Sequence, residues 1–294
     1  MTNNQSKQKT ALLTDSTCDL PEELLEKYSI YSLPLKIIYG NKEYRDRIDI
    51  EPNDVCLKFE EEIPTTSMPG PDEIKQKFIE LREKGYTQII AIHISSGLSG
   101  TYNISKMVSK DFKNIKIEVI DSKMLSLGLG RLVLFAKDLI NKNKISFEEI
   151  VKKIKDHIDN IKVFFVVGTL KYLKKGGRIG KVKGTIGQLL NIKPIISIDE
   201  EGKYFTFDRA RSREKSINKL FKISKERINE GNCAVDVMHA DAVDEAKKLL
   251  NKLKQLKNVK KSFLGEISPA MVVHAGPGLL GVCINVFDKK LQEF

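Results

Sequence analysis

The residues best able to do chemistry gather in five short stretches. They read TDSTCD (14–19), IPTTSMPGPD (63–72), HISSGLSGTY (93–102), IDSKMLSLGLG (120–130) and VVHAGPGLLGV (272–282). Each crowds hydroxyls, glycines and bare backbone amides beside an apolar run. Such a set suits a nucleophilic serine, a phosphate cradle, or a polar grip on the head of an otherwise greasy ligand. One Ser/Thr/Gly cluster is ordinary turn or cap chemistry. Five of them at strand ends point to a shared polar pocket.

Spacing discriminates among the enzyme readings. A nucleophile elbow needs Gly-x-Ser-x-Gly; Ser99 has Gly97 two before it, but Gly100 follows directly. A phosphate-binding loop needs Gly-Lys followed by Ser or Thr; Gly180-Lys181 is followed by Val182. A Ser–His–Asp set can be written on paper from Ser96, His274 and Asp15, with nothing local to support it. The four histidines (93, 157, 239, 274) form no metal-ligand spacing. His274, read as lying in an apolar strand, precedes a flexible Ala-Gly-Pro-Gly. An imidazole beside exposed amides suits an anion such as a carboxylate.

The elements that must hold these loops read as α/β. TALLTD (10–15), IYSLPLKIIY (30–39), TQIIAIHI (87–94) and IKIEVID (115–121) are expected strands. Between them, a helix is opened by Asp19 with Pro21 in its first turn. A second, over 70–85, presents Ile74, Phe78 and Leu81 on one face and stops at Gly85. The longest expected helix is 124–143, with Gly128 and Gly130 marking close packing. This alternation predicts an N-terminal, mostly parallel sheet with helices on both faces. From about residue 160 strands are joined by tight turns, with Glu201-Gly202 as a hairpin, and helices are expected over 213–229 and 241–257. A second α/β domain with a mixed or antiparallel sheet follows, the boundary lying near residue 158. The expected division is a loose tail (1–9), an N-terminal domain (10–158) and a C-terminal domain (159–294), with the ligand between strand-end loops of both.

Composition bounds the class. The chain has 294 residues, 41% hydrophobic and 30% charged, with material for a buried core. No apolar stretch approaches the ~20 residues of a membrane span. The N-terminus lacks the apolar core of a secretory signal. Four scattered cysteines indicate neither zinc nor a disulfide framework, which fits a cytoplasmic setting. The net charge of +11 reads as solvated surface, except that residues 170–184 concentrate Lys171, Lys174, Lys175, Arg178, Lys181 and Lys183 without an acid. That patch suits phosphate or an acidic partner. No nucleic-acid motif accompanies it, and steeply salt-dependent association would be the mark of nucleic-acid binding.

The ordered series TDSTCDLP, PTTSMPGPDE, ISSGLSGTYN, DSKMLSLGLG, LKYLKKGGRIG, KPIISIDEEGK, RARSREKSI and HAGPG, across residues 14–278, resembles the DegV family. The resemblance implies a protein that binds a long-chain fatty acid (C16–C18) without catalysis or cofactor of its own. It also implies a partner, the ATP-dependent kinase subunit of bacterial fatty acid kinase, to which the acid is presented for acyl-phosphate formation and phospholipid metabolism. Carried over by motif, Thr66 with Thr65 beside it, Ser96 with Ser95 as the neighbouring register, and His274 hold the carboxylate. Arg178 and Arg211 stand near the head group or on the partner-facing side. Met68 and Gly70 depart from the family's usual Gln and Ser, and the tail before Thr10 is extra. The competing expectation is a hydrolase or transferase using Ser96 and His274.

Overall fold

The computed structural model describes residues 9–142, 144–185 and 192–287; the expected tail before Lys9 lies outside them, as do the side chain of Lys183 and residues 288–294. The chain opens with β1 (Thr10–Asp15), helix α1 (Glu22–Lys27) and β2 (Ile30–Leu33). β3 (Lys36–Tyr39), β4 (Lys42–Arg45), α2 (Pro52–Lys58) and β5 (Thr65–Ser67) follow. Then come α3 (Pro71–Glu83), β6 (Gln88–His93), α4 (Thr101–Ser109), β7 (Lys116–Asp121), α5 (Ser126–Lys142) and α6 (Phe147–His157). The first sheet has the order β2-β1-β6-β7 and is wholly parallel. On one face Ile74, Phe78 and Leu81 of α3 are fully buried beside Ala11, Leu13 and Ile89. On the other lies α5, the longest helix.

IYSLPLKIIY is not one strand. Pro34 cannot donate to a ladder, and the run breaks there. β2 joins the parallel sheet, while β3 leaves to form a small antiparallel sheet, β4-β3-β5. Nor does Asp19 cap α1: it sits in the left-handed region (φ 53°) and Pro21 occupies the cap.

The second half contains β8 (Ile161–Val166), α7 (Lys171–Lys175), β9 (Lys193–Ile198), β10 (Tyr204–Ala210) and α8 (Arg213–Ile228). It continues with β11 (Cys233–Ala240), α9 (Val243–Leu253), β12 (Val259–Glu266), α10 (Pro269–Ala275) and β13 (Leu279–Val286). Its sheet is mixed, in the order β10-β9-β8-β13-β11-β12, with only β11 and β12 parallel. The expected hairpin at Glu201-Gly202 joins β9 to β10, with Gly202 at φ +76°.

The two sheets share one core. Leu12, Ile90 and Ile92 from the first cluster with Phe165, Met238 and Cys283 from the second, and α5 lies between. Gly128 and Gly130 make that packing possible: an added Cβ would lie 2.8 Å from Val163 Cγ2 at the first and 2.5 Å from the Cys18 carbonyl at the second. No described helix is long and apolar enough to cross a membrane.

Candidate functional site

The carboxyl ends of β1 and β6 carry two of the hydroxyl-rich loops, at the edge where open α/β sheets place ligands. Asp15, at the end of β1, fixes the start of the second loop by accepting the Ile94 amide (2.9 Å) and pairing with buried His93. The loop then turns through Ser95, whose carbonyl accepts the amides of Leu98 and Ser99 (both 3.0 Å), and enters α4. β5 brings a third loop alongside. Its register pairs Thr66 with fully buried Ile37, so Thr66 faces inward while Thr65 is exposed.

His274 lies not on a strand but in the last turn of α10, a short helix begun by Pro269 and ended by Gly276 at φ +72°. Its apolar neighbours are buried on several sides of that helix, which gives the run a strand-like pattern in sequence. The helix aims the imidazole at β5. Thr66 Oγ1 and His274 Nε2 are 2.8 Å apart, across 208 residues of chain. Nδ1 is buried and has no partner among the described residues. Burial, and after it the nearby Arg178 guanidinium, push the His274 pKa down to about 4. The ring is therefore neutral at physiological pH.

Thr66 and His274 open onto a chamber of about 340 Å³. Thr17, Ser67, Ser99 and Arg178 supply further polar groups to its wall, and Leu35, Met68, Ile94 and Leu98 the apolar ones. Arg178 is held in place by the carbonyls of Leu98 (3.1 Å) and Gly176 (2.7 Å). A second cavity, narrow at about 30 Å³, begins where the first ends: His274, Tyr204 and Met271 line both. Its walls are almost wholly apolar, with Leu125, Leu127, Val163, Phe165, Met238 and Leu279 among them. The site is thus a chamber with polar groups in its wall adjoining a narrow apolar one, with an imidazole lining both.

The serines expected at this site are elsewhere. Ser95 is fully buried and donates to the Gly202 carbonyl (2.8 Å), fastening the β9–β10 hairpin to the loop. Gly202 must be glycine there, since a Cβ would fall 1.9 Å from Ser95 Oγ. Ser96 Oγ donates to Asp121 Oδ2 (2.5 Å), and its amide to Oδ1 (3.1 Å). Ser99 is the serine of this loop that lines the chamber. In sequence the three hydroxyls are equivalent; only the turn at Ser95 decides which one faces inward. The paper triad is not assembled either, because Ser96 is on Asp121, His274 on Thr66, and Asp15 on Thr17, His93 and Ile94.

Arg211 is exposed just beyond β10 and lines neither cavity. The basic run is also not wholly unpaired: Lys181 bonds Asp199 at 2.7 Å, whereas Lys171, Lys174 and Lys175 are exposed on α7. Among the described residues no group of His, Cys, Asp or Glu is placed to hold a metal, and the four cysteines are free.

Two buried titrations oppose each other near the site, which gives a pH signature. Burial raises Asp46 to about 6, against help from Ser16 and the Ala270 amide. A raised carboxyl pKa favours the fold at low pH, and stability falls as pH climbs from about 4 to about 6. The depressed pKa of His274 acts the other way: the unfolded chain takes the proton first, and stability falls as pH drops from about 6.5 to about 4. Each gap is on the order of 3 kcal/mol. Relative to the parent, His274→Gln should therefore flatten the acid-side loss, and Asp46→Asn should gain stability at neutral pH. Denaturant titrations from pH 4 to 7 read both slopes.

A family model described as an uncharacterised protein of the DegV family matches residues 9–286. A DegV domain-containing protein of Clostridium acetobutylicum is 46% identical over 278 residues, covering 94% of this chain and 99% of the relative. Another, from Staphylococcus aureus, is 36% identical over 278 residues, covering 94% and 98%. Among solved structures, a fatty-acid-binding DegV family protein from Thermus thermophilus superposes with a TM-score of 0.89 at 29% identity, over 95% of this chain and all (100%) of that one. A stearic-acid-binding protein from Eubacterium ventriosum gives 0.84 at 28% identity, covering 95% and 98%. The match runs nearly end to end in both sequence and fold, and this chain belongs to the DegV family.

Proposed function

We propose that this chain binds a long-chain fatty acid, its carboxylate in the polar chamber beside Thr66 and its acyl chain in the apolar cavity beyond His274. The supporting observation is the junction itself: a 2.8 Å Thr66–His274 pair standing where a polar chamber meets an apolar one. Burying a tail is worth roughly 0.8 kcal/mol per methylene, about 10 kcal/mol for a long chain before ordering costs. A buried carboxylate is costly unless hydrogen-bonded. With Nε2–H donating to Thr66, the threonine hydroxyl hydrogen is free for the acid, and Ser99 and Arg178 stand in the same wall. The charge-assisted bonds these groups offer are the strong kind. The structural relatives that bind fatty acids, one of them stearic acid, support the same ligand class.

The narrow cavity accepts a tail only by yielding. Met238 and Met271 line it, and methionine is the side chain that most readily re-packs around a new shape. We read the chain as two α/β domains divided near residue 158, with the acid between strand-end loops of both. Presentation of the bound acid to a separate ATP-using kinase subunit belongs to the same proposal. The exposed lysines of α7 lie on the helix packed against α10, near the head group, and suit an acidic docking face. Charge reversal at Lys171, Lys174 and Lys175 should slow acyl-phosphate formation with such a subunit while leaving acid affinity unchanged.

Mass spectrometry of an organic extract of the purified protein tests the ligand class. Long-chain acids near one per chain are expected. An extract free of them, together with no binding when C16–C18 acids are titrated in, would remove the proposal.

A further inference from the structure

A seven-residue helix carries His274, and the way its first turn is satisfied is unusual. The opening amides of a helix lack intrahelical acceptors and are ordinarily met by the cap side chain. Ser268 occupies the cap position of α10, yet its side chain makes no capping bond and its hydroxyl is buried without a partner among the described residues. The acceptors come instead from the other end of the chain. Asp19 Oδ1 accepts the Ser268 amide at 2.8 Å and Asp46 Oδ1 the Ala270 amide at 3.0 Å, across 249 and 224 residues. Both carboxylates are almost fully buried.

Each acid is itself clamped. Asp19 Oδ2 accepts from Ser126 Oγ (2.6 Å), the first residue of α5 and part of the apolar cavity's wall. Asp46 Oδ2 accepts from Ser16 Oγ (2.6 Å), which in turn accepts the Leu35 amide (3.0 Å). Arg47 bridges Asp19 (3.3 Å) and the Glu266 carbonyl (2.7 Å), closing the approach to α10. Asp19 and Arg47 both adopt left-handed backbone, φ 53° and 59°, a conformation that costs free energy in residues other than glycine.

Two buried carboxylates and two strained residues are an expensive way to cap one short helix. The Ser268 hydroxyl, already at the cap position, would meet the Ala270 amide at less cost than a buried carboxylate does. What the arrangement adds is rigidity: it fixes the start of α10 to the loops after β1 and β4, and one helical turn later the same rod sets His274 against Thr66 and Met271 between the two cavities. We infer that Asp19 and Asp46 are positioning residues for the head-group site, acting through α10 on His274. The inference rests on the proposed fatty-acid reading only for its consequence on binding; the effect on His274 is independent of the ligand.

The test uses the full chain as Asp46→Ala, Asp46→Asn and Ser16→Ala, the last being the milder lesion that frees Asp46 Oδ2. Two readouts are taken: the imidazole nitrogen shifts of His274 without ligand, and the dissociation constant for stearate. Asp46→Ala should move the His274 shifts away from those of a ring bonded to Thr66 and weaken stearate about tenfold, the effect of one lost hydrogen bond at a charged group. Asp46→Asn keeps an oxygen for the Ala270 amide and should restore both. Should Asp46→Ala not fold, Ser16→Ala is read in the same way with a smaller effect. His274 shifts and stearate affinity that match the parent, with only the melting temperature changed, would overturn the inference. Shifted His274 signals in a protein whose parent never binds stearate would instead support the positioning role and count against the fatty-acid reading.

Discussion

Gly176→Ala should weaken stearate binding by about a hundredfold while leaving the far-ultraviolet circular dichroism unchanged. Gly176 follows α7 in an ordinary right-handed conformation, φ −75°, so alanine is free to occupy it. The obstacle is the imidazole: a Cβ at this position falls 2.1 Å from His274 Nδ1. The ring must leave, and with it goes the 2.8 Å contact to Thr66. One methyl thus removes the partner that orients the Thr66 donor and pushes the ring away from the junction of the two cavities. Losing the aim of one hydrogen bond to a charged acceptor costs up to about 3 kcal/mol, which is two orders of magnitude in affinity. Isothermal titration measures the change directly. An unaltered constant would show that His274 is not part of the binding surface.

The second large effect concerns the tail. Shortening the acid should cost roughly 0.8 kcal/mol per methylene, about fourfold in affinity at each step. From eighteen carbons to twelve the loss reaches about 5 kcal/mol, several thousandfold. The ladder should flatten at the length where the chain outruns the space that Met238, Met271, Phe165 and Leu279 can yield. A homologous series of saturated acids, titrated at one pH and salt concentration, reads the slope. Equal binding of short and long acids would mean that the carboxylate alone is recognised and the apolar cavity is only packing.

Much of this arrangement is legible in the residues. β-rich runs bounded by hydroxyls marked β1, β6 and β7, and the 3.6-residue spacing of Ile74, Phe78 and Leu81 marked α3. Elsewhere longer-range effects override the local pattern. Pro34 divides one apolar run between two sheets, a choice that depends on β5 waiting to pair with β3. β5 itself is three residues of Thr and Ser that no periodicity reveals. The segment around His274 has a strand-like pattern in sequence because α10 is apolar on nearly every side. The local pattern cannot distinguish Ser96 from Ser99, since the turn at Ser95 sends Ser96 to Asp121 across the sheet edge and Ser99 to the chamber. The acids that hold α10 have no local signal at all: Asp19 reads as a helix cap, and the Ser268 amide it accepts lies 249 residues away along the chain.

The stability consequences of those acids separate fold from function. Asp46→Asn should make the free protein more stable at neutral pH, because an ionised carboxyl buried at that position opposes folding. A group kept at a cost to the fold is expected where a site must be held in one geometry.

The most direct measurement is a crystal structure of this chain with stearic acid bound. The account predicts a carboxylate oxygen within hydrogen-bond distance of Thr66 Oγ1, beside His274. It further predicts an acyl chain threaded past Tyr204 and Met271 between α5 and strands β8 and β13. A head group bound at Ser96 and Asp121, or a tail lying outside an unchanged interior, would contradict it.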